Sequence, residues 1–243
     1  MVGANARSSV LNRVAFVCAM PMELAPLKRK LSLKRTTLGS LEIHAGWLGD
    51  RPVVAIVTGI GSVLAAEGVE RLVRMVDIER VVVVGITGAV DNETPIGTVI
   101  LPEVVVNGAT GVEYWPDQLG GGSPKGKMWT SDVLITDPDV IDHLRSDGVI
   151  SLDMETAAIA EICQRRGIPW SVFRAVSDRA TEVNLDDEVL RLVNRDGTFN
   201  VKQICVFLVK HPGRVPDLTR LAKSAKLAAD HAADAAVSAA SQS

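Results

Sequence analysis

A chain of 243 residues suits one large α/β domain or two small ones, and 47% apolar residues supply a sizeable core. A formal net charge of -3 gives no basic face for nucleic acid, and no apolar run is long enough to cross a membrane. Cys18, Cys163 and Cys205 are few, odd in number and without metal spacing; they read as small buried residues in a reducing cytoplasm.

Residues 1–12 read as a loose tail. Arg7 and Arg13 precede V-A-F-V-C-A-M (14–20), but this short apolar run, followed by Pro21 and Glu23, fits a first buried strand better than a signal sequence. A helix follows, with Pro21 near its first turn. L-E-I-H-A-G-W-L (41–48) and P-V-V-A-I-V-T (52–58) form a hairpin around Gly49-Asp50. Gly59-Ile60-Gly61-Ser62 opens a helix to about Met75. R-V-V-V-V-G-I (80–86) is a central strand, and 98–106 supplies one or two more.

Residues 107–131, rich in Gly and Pro, read as a surface excursion. Asp137-Pro138 precedes a short helix (139–146), and G-V-I-S-L-D-M leads into an alanine-rich helix that Gly167 and Pro169 stop. W-S-V-F-R-A-V (170–176) is another buried strand. In the tail from Asp217, Leu218, Leu221, Ala222 and Ala225 recur at helical spacing and suit docking on the body. The whole predicts a single α/β domain over 13–240. It would be three-layered, with a mixed, mostly parallel twisted sheet flanked by helices.

Ligands of such sheets bind outside the carboxyl ends of the strands. Glu23, Glu155 and Asp178 each stand just past an apolar strand. If those strands are parallel neighbours, the three acids converge on one crevice; otherwise they are turn and helix-start residues. Thr58-Gly59-Ile60-Gly61 and Gly85-Ile86-Thr87-Gly88-Ala89 also end strands, with small residues that let a ligand approach backbone N–H groups. A dinucleotide fingerprint fails because Leu64 holds the third glycine position. There is no Walker loop and no G-x-S-x-G, and His44, His143, His211 and His231 show no metal spacing.

In order, A-M-P-M-E (19–23), T-G-I-G (58–61), G-I-T-G-A (85–89), D-M-E-T-A-A-I-A (153–160) and R-A-V-S-D (174–178) resemble the nucleoside phosphorylases and nucleosidases. The nearest branch is similar to 5′-methylthioadenosine/S-adenosylhomocysteine nucleosidase. The middle and V-K-H-P-G-R-V-P (209–216) resemble nucleosidase-like proteins found with hopanoid biosynthesis genes. The resemblance implies cleavage of the N-glycosidic bond of a purine nucleoside through an oxocarbenium-like transition state, with no cofactor or metal. It also implies a homo-oligomer, with a dimer favoured.

By resemblance, Asp178 is the general acid at N7 of the purine, and Ser177 orients it. Glu155 holds the ribose hydroxyls, with Met154 on the sugar face. Asp153 serves the helix start and ranks below Glu155. Glu23 activates the attacking water. Leu134 and Ile135 meet the adenine, and Met20, Ile60, Ile86, Thr87 and Gly88 complete the pocket. Aspartate at 178 implies a 6-aminopurine. The phosphorylases' glycine-aspartate-proline and arginine signature is missing, and Val83 stands where their second phosphate-binding arginine falls. Hydrolysis of a 5′-substituted adenosine is therefore expected, with phosphorolysis or non-catalytic purine binding as alternatives. Departures are Ile86 in the usually small polar turn and Thr181 where the family has a further acid. Tyr114 and Trp115 either wall the 5′ pocket or pack their own loop.

Overall fold

The computed structural model describes residues 13–179 and 215–242. It holds an 11-stranded mixed sheet. Its first half runs β1 (Arg13–Cys18), α1 (Pro21–Lys30), β2 (Lys34–Leu38), β3 (Leu41–Leu48), β4 (Arg51–Val57), α2 (Ser62–Met75) and β5 (Ile78–Ala89). The second half runs β6 (Val99–Ile100), β7 (Val104–Asn107), β8 (Glu113–Tyr114), β9 (Lys127–Thr130), α3 (Pro138–Ser146), β10 (Val149–Asp153), α4 (Thr156–Arg166) and β11 (Trp170–Arg179). A long helix, α5 (Val215–Ser241), comes last among the described residues.

Strand alternation divides the core into two layers. Ala15, Val17, Val81, Val83, Trp170, Val172 and Val176 face α2 and α4, where Ala65, Val69, Leu72, Ile159 and Ile162 meet them. Val14, Phe16, Val82, Val84, Phe173 and Ala175 face α1 and α5, packing on Leu24, Leu27 and an alanine seam. Each large apolar side chain buried this way contributes on the order of 1.5–3 kcal/mol. That seam is Ala228, Ala232, Ala233, Ala236, Ala239 and Ala240. Docking therefore falls further along the helix than the sequence suggested: Ala222 is exposed, and Leu218, Leu221 and Ala225 are half-buried. Alanine lets the helix lie close to the sheet, whereas leucine at those positions would hold it off.

Residues 107–131 are not a surface excursion. β9 inserts between β7 and β10 in parallel with both, and Met128 is fully buried. Tyr114 packs in the core, while Trp115 is 65% exposed. β2 was not anticipated; it pairs antiparallel with β3.

β5 organises the sheet. β11 runs parallel along one edge, from Val81 to Ala89. The other edge is shared. β1 pairs with it in parallel as far as Val83, and β10 pairs antiparallel at Gly88 and Ala89. The condition of parallel pairing is thus met by β1 and β11 against β5 and not by β10. The carboxyl ends of β1 and β10 point at each other, leaving Val84 to Thr87 of β5 open between them.

Candidate active site

The gap in that edge is the site. On the open stretch of β5, Ile86 turns both of its backbone groups to side-chain partners. Its N–H donates to Glu23 Oε1 at 2.9 Å, and its carbonyl accepts from Arg174 Nη1 at 2.8 Å. Gly85 beside it has no room for a side chain unless its neighbours shift: a Cβ there would lie 2.4 Å from Glu23 Oε1 and 2.8 Å from Arg174 Nη1.

Arg174 shares the strand face of Trp170, Val172 and Val176, so its guanidinium is driven into the interior, where it is 3% exposed. Such a charge needs partners. It finds Asp153 at 2.7 Å, Glu155 at 3.0 Å and Glu23 at 3.7 Å, and its Nε donates to Thr156 Oγ1 at 3.3 Å. Burial works against this charge, but the three carboxylates outweigh it and raise the Arg174 pKa. Three carboxylates around one guanidinium leave the cluster with a negative excess.

That excess is carried unequally. Glu23 is 1% exposed; Oε2 accepts from the backbone N–H groups of Ala19 and Met20 at 2.8 and 2.9 Å. Burial raises its pKa, against the lowering effects of Arg174 and these amides. Glu155 accepts from Gly61 N at 2.9 Å. Burial, with the Asp153 and Glu23 charges, pushes its pKa up to about 7 despite Arg174.

Asp153 has a larger part than its sequence ranking gave it. Its carboxylate accepts from Thr156 N at 2.9 Å and Thr130 Oγ1 at 2.5 Å, and from the Thr156 hydroxyl, besides pairing with Arg174. It caps the start of α4, as expected, and it also anchors the arginine. Thr130, on β9, passes the support on, accepting from Ala157 N at 3.0 Å. Neither Arg174 nor Thr130 was singled out from sequence as a site residue. The available signal was a charge on the buried parity of W-S-V-F-R-A-V.

Asp178 lies within β11 rather than beyond it. The register against β5 slips between Val176 and Asp178, so Ser177 is the extra residue of a bulge. Bulges re-aim side chains beside active sites, and here both Ser177 and Asp178 reach the pocket. The Ser177 hydroxyl donates to Asp178 Oδ1. Burial raises the Asp178 pKa, and that hydrogen bond opposes it.

The pocket encloses roughly 210 Å³. The residues to which the resemblance gave a catalytic, ribose, base or pocket role are on its wall: Glu23, Asp178, Glu155, Met154, Ser177, Leu134, Ile135, Met20, Ile60, Ile86, Thr87 and Gly88. Ala19, Thr136, Leu152, Asp153 and Arg174 complete it among the described residues. Val83 is buried in the core and offers nothing to a ligand. Tyr114 and Trp115 are not on the wall. Thr181 and most of the 209–216 motif lie outside the described residues. No group of His, Cys, Asp and Glu side chains suited to a metal ion occurs among the described residues, and no helix there is long and apolar enough to cross a membrane.

A doubly covered mixed sheet with an acid cluster where strand ends meet is the architecture that the comparisons with known proteins recover. The family model described as the Phosphorylase superfamily matches residues 13–125 and 123–204, and the chain belongs to that superfamily. The 5′-methylthioadenosine/S-adenosylhomocysteine nucleosidase of Halalkalibacterium halodurans is 27% identical over 200 residues, covering 70% of this chain and 87% of that protein. Among solved structures, the nucleosidase of the same name from Neisseria meningitidis, in complex with methylthio-immucillin-A, covers 96% of this chain and 100% of its own. Its TM-score is 0.72 at 19% identity. Futalosine hydrolase of Helicobacter pylori covers 92% of this chain and 95% of its own, with a TM-score of 0.69 at 14% identity.

Proposed function

We propose that the chain is a purine nucleosidase that hydrolyses the N-glycosidic bond of a 5′-substituted adenosine and releases adenine. The observation that carries this reading is the commitment of Arg174. All three guanidinium nitrogens are engaged by Asp153, Glu155, Thr156 and Ile86, and no other cation lines the pocket among the described residues. A phosphate dianion would meet carboxylates and no free cation. A cationic sugar is the better match for such a cluster.

In this mechanism Asp178, whose pKa burial raises, gives its proton to N7 of the base. Glu155 accepts from the ribose hydroxyls and favours positive charge on the sugar, with Met154 against the ring. Glu23, made more basic by burial, takes a proton from water. The water oxygen then bonds to C1′ as the C1′–N9 bond breaks, and that bond's electron pair leaves with the base. Leu134, Ile135 and Ile86 offer apolar contact for the adenine and sugar. The relatives named for methylthioadenosine and S-adenosylhomocysteine support an adenosyl substrate.

Val133, 69% exposed and next to the pocket residue Leu134, and Val63, 68% exposed near the start of α2, favour a dimer closing over the 5′ group. The buried thiols of Cys18 and Cys163 suit a cytoplasmic setting.

The test is a panel of methylthioadenosine, S-adenosylhomocysteine, 5′-deoxyadenosine and adenosine, each with and without inorganic phosphate. Adenine should appear without phosphate. Release that requires phosphate, with accumulation of the sugar 1-phosphate, would make the chain a phosphorylase. Tight adenine binding with no turnover would make it a binding protein.

A further inference from the structure

Helix α2 begins without a cap of its own. Gly61 occupies the N-cap, at φ 97°, with no side chain to offer, and the first turn contains no acid. The N–H groups at such an end need acceptors from elsewhere. Two arrive from other parts of the chain. Gly61 N donates to Glu155 Oε1 at 2.9 Å, and Ser62 N donates to Asp132 Oδ1 at 3.0 Å. The Ser62 hydroxyl also reaches the Met154 carbonyl at 3.3 Å. The start of α2 is therefore a joint on which several walls of the pocket lean.

Asp132 has no other assigned part. It is not itself on the pocket wall, but Leu134, Ile135 and Thr136, which follow it, are. This segment is fastened at both ends. Ser131 N donates to the Asp153 carbonyl at 2.9 Å, and Asp137 caps α3 by accepting from Asp139 N at 2.9 Å. Ile135 packs against the small cluster of Val90, Ile141, Leu144 and Val149. Between these anchors, Val133 and Leu134 are exposed. The Asp132–Ser62 bond ties that middle stretch sideways to α2. An aspartate at a helix N-terminus is also favoured by the helix dipole.

We propose that Asp132 is a positioning residue: it latches the base-side wall, Leu134 to Thr136, to the start of α2. Ile60, Glu155 and the base-side wall then keep one spacing. The proposal rests on reading the pocket as a nucleoside site. It assigns Asp132 no contact with substrate. Its effect passes through the distance between two walls, so it governs grip on the base rather than the chemical step.

The test compares Asp132→Ala, Asp132→Asn and Ser62→Pro in the full chain. Proline is tolerated at the first helical position and removes the donated N–H. Steady-state kinetics on methylthioadenosine, adenine affinity by calorimetry and hydrogen exchange at residues 61–64 and 132–136 are the readouts. Asp132→Ala and Ser62→Pro should raise KM and the adenine Kd about tenfold, with kcat changed less than about threefold. Exchange should quicken in both segments. Asp132→Asn keeps an acceptor oxygen and should stay within about twofold of wild type. Unchanged exchange and adenine affinity in Asp132→Ala, or an Asn variant as impaired as the Ala variant, would overturn the latch. Wild-type protein that binds adenine but cleaves no nucleoside would sink the hydrolase reading instead, leaving the exchange and affinity comparisons to judge Asp132.

Discussion

Arg174 Nη2 stands 2.7 Å from the Asp153 carboxylate, and this pair ties β11 to the beginning of α4 beneath the pocket. Removing the guanidinium would strand buried carboxylates, which costs about 3–5 kcal/mol. Arg174→Met should therefore lose about 3–5 kcal/mol of unfolding free energy at pH 7, seen as a lower urea midpoint. Adding Asp153→Asn to it should be less costly than the sum of the single changes, by about 0.5–3 kcal/mol. Strict additivity in the denaturation midpoints would show that the two side chains are not energetically joined.

The pH dependence of stability follows from Glu155. Its folded pKa is about 7, above the ordinary glutamate value of 4.5. The folded state binds the proton more tightly, so the stabilising contribution is complete below about pH 4.5 and is lost as pH rises through 7. The shift corresponds to about 3 kcal/mol. Burial raises Glu23 and Asp178 as well, which adds to the same slope. Urea midpoints between pH 5 and 8 should fall with pH in wild type and fall less steeply in Glu155→Gln. An equal slope in both proteins would rule out Glu155 as a source.

Activity should rise over the same interval, because a carboxylate that holds two hydroxyls must be ionised. The acid limb of kcat/KM should then lie near pH 7 and disappear into a general loss in Glu155→Gln. A limb near pH 4 would mean that Glu155 is ionised at rest.

Asp178→Asn should lower kcat by about 10²–10⁴-fold while leaving adenine binding in place. Ser177→Ala removes the hydrogen bond that holds the Asp178 pKa down, so the alkaline limb of the rate profile should move to higher pH. A limb moving to lower pH would contradict the orientation of that bond.

Gly85→Ala puts a methyl group where Glu23 and Arg174 cross β5. Overpacking of this kind costs about 1–3 kcal/mol, and the displaced Glu23 should take most of the activity with it. A variant with wild-type kcat would show that the crossing has room to spare.

Part of the site was legible from local pattern, as strand-end acids and glycine turns, and the family resemblance supplied Met20, Leu134, Ile135, Met154 and Ser177. Glu23, Glu155 and Asp178 do meet. What escaped was set by pairing at a distance. β9 is only K-M-W-T, too short for alternation to be distinguished from a loop, yet Thr130 on it holds Asp153. Nothing local says that β10 runs against β5. The bulge at Ser177 is likewise a property of two strands together. Arg174 was visible in the sequence, but the family resemblance drew attention to its neighbours. Its burial, which parity alone implied, is what makes it the centre of the cluster.

The interrupted edge of β5 also acts as a ruler. β1 and β10 each stop at a fixed residue of the same strand, Val83 on one side and Gly88 on the other. The opening between them is thus measured in backbone steps of about 3.3 Å, not in the softer coordinates of a loop. A one-residue slip of β10 would carry Glu155 by a full step, farther than a hydrogen bond can stretch. Strand register thus calibrates the distance between the acids of β1 and β10, while the base-side wall takes its position from the loop that Asp132 holds.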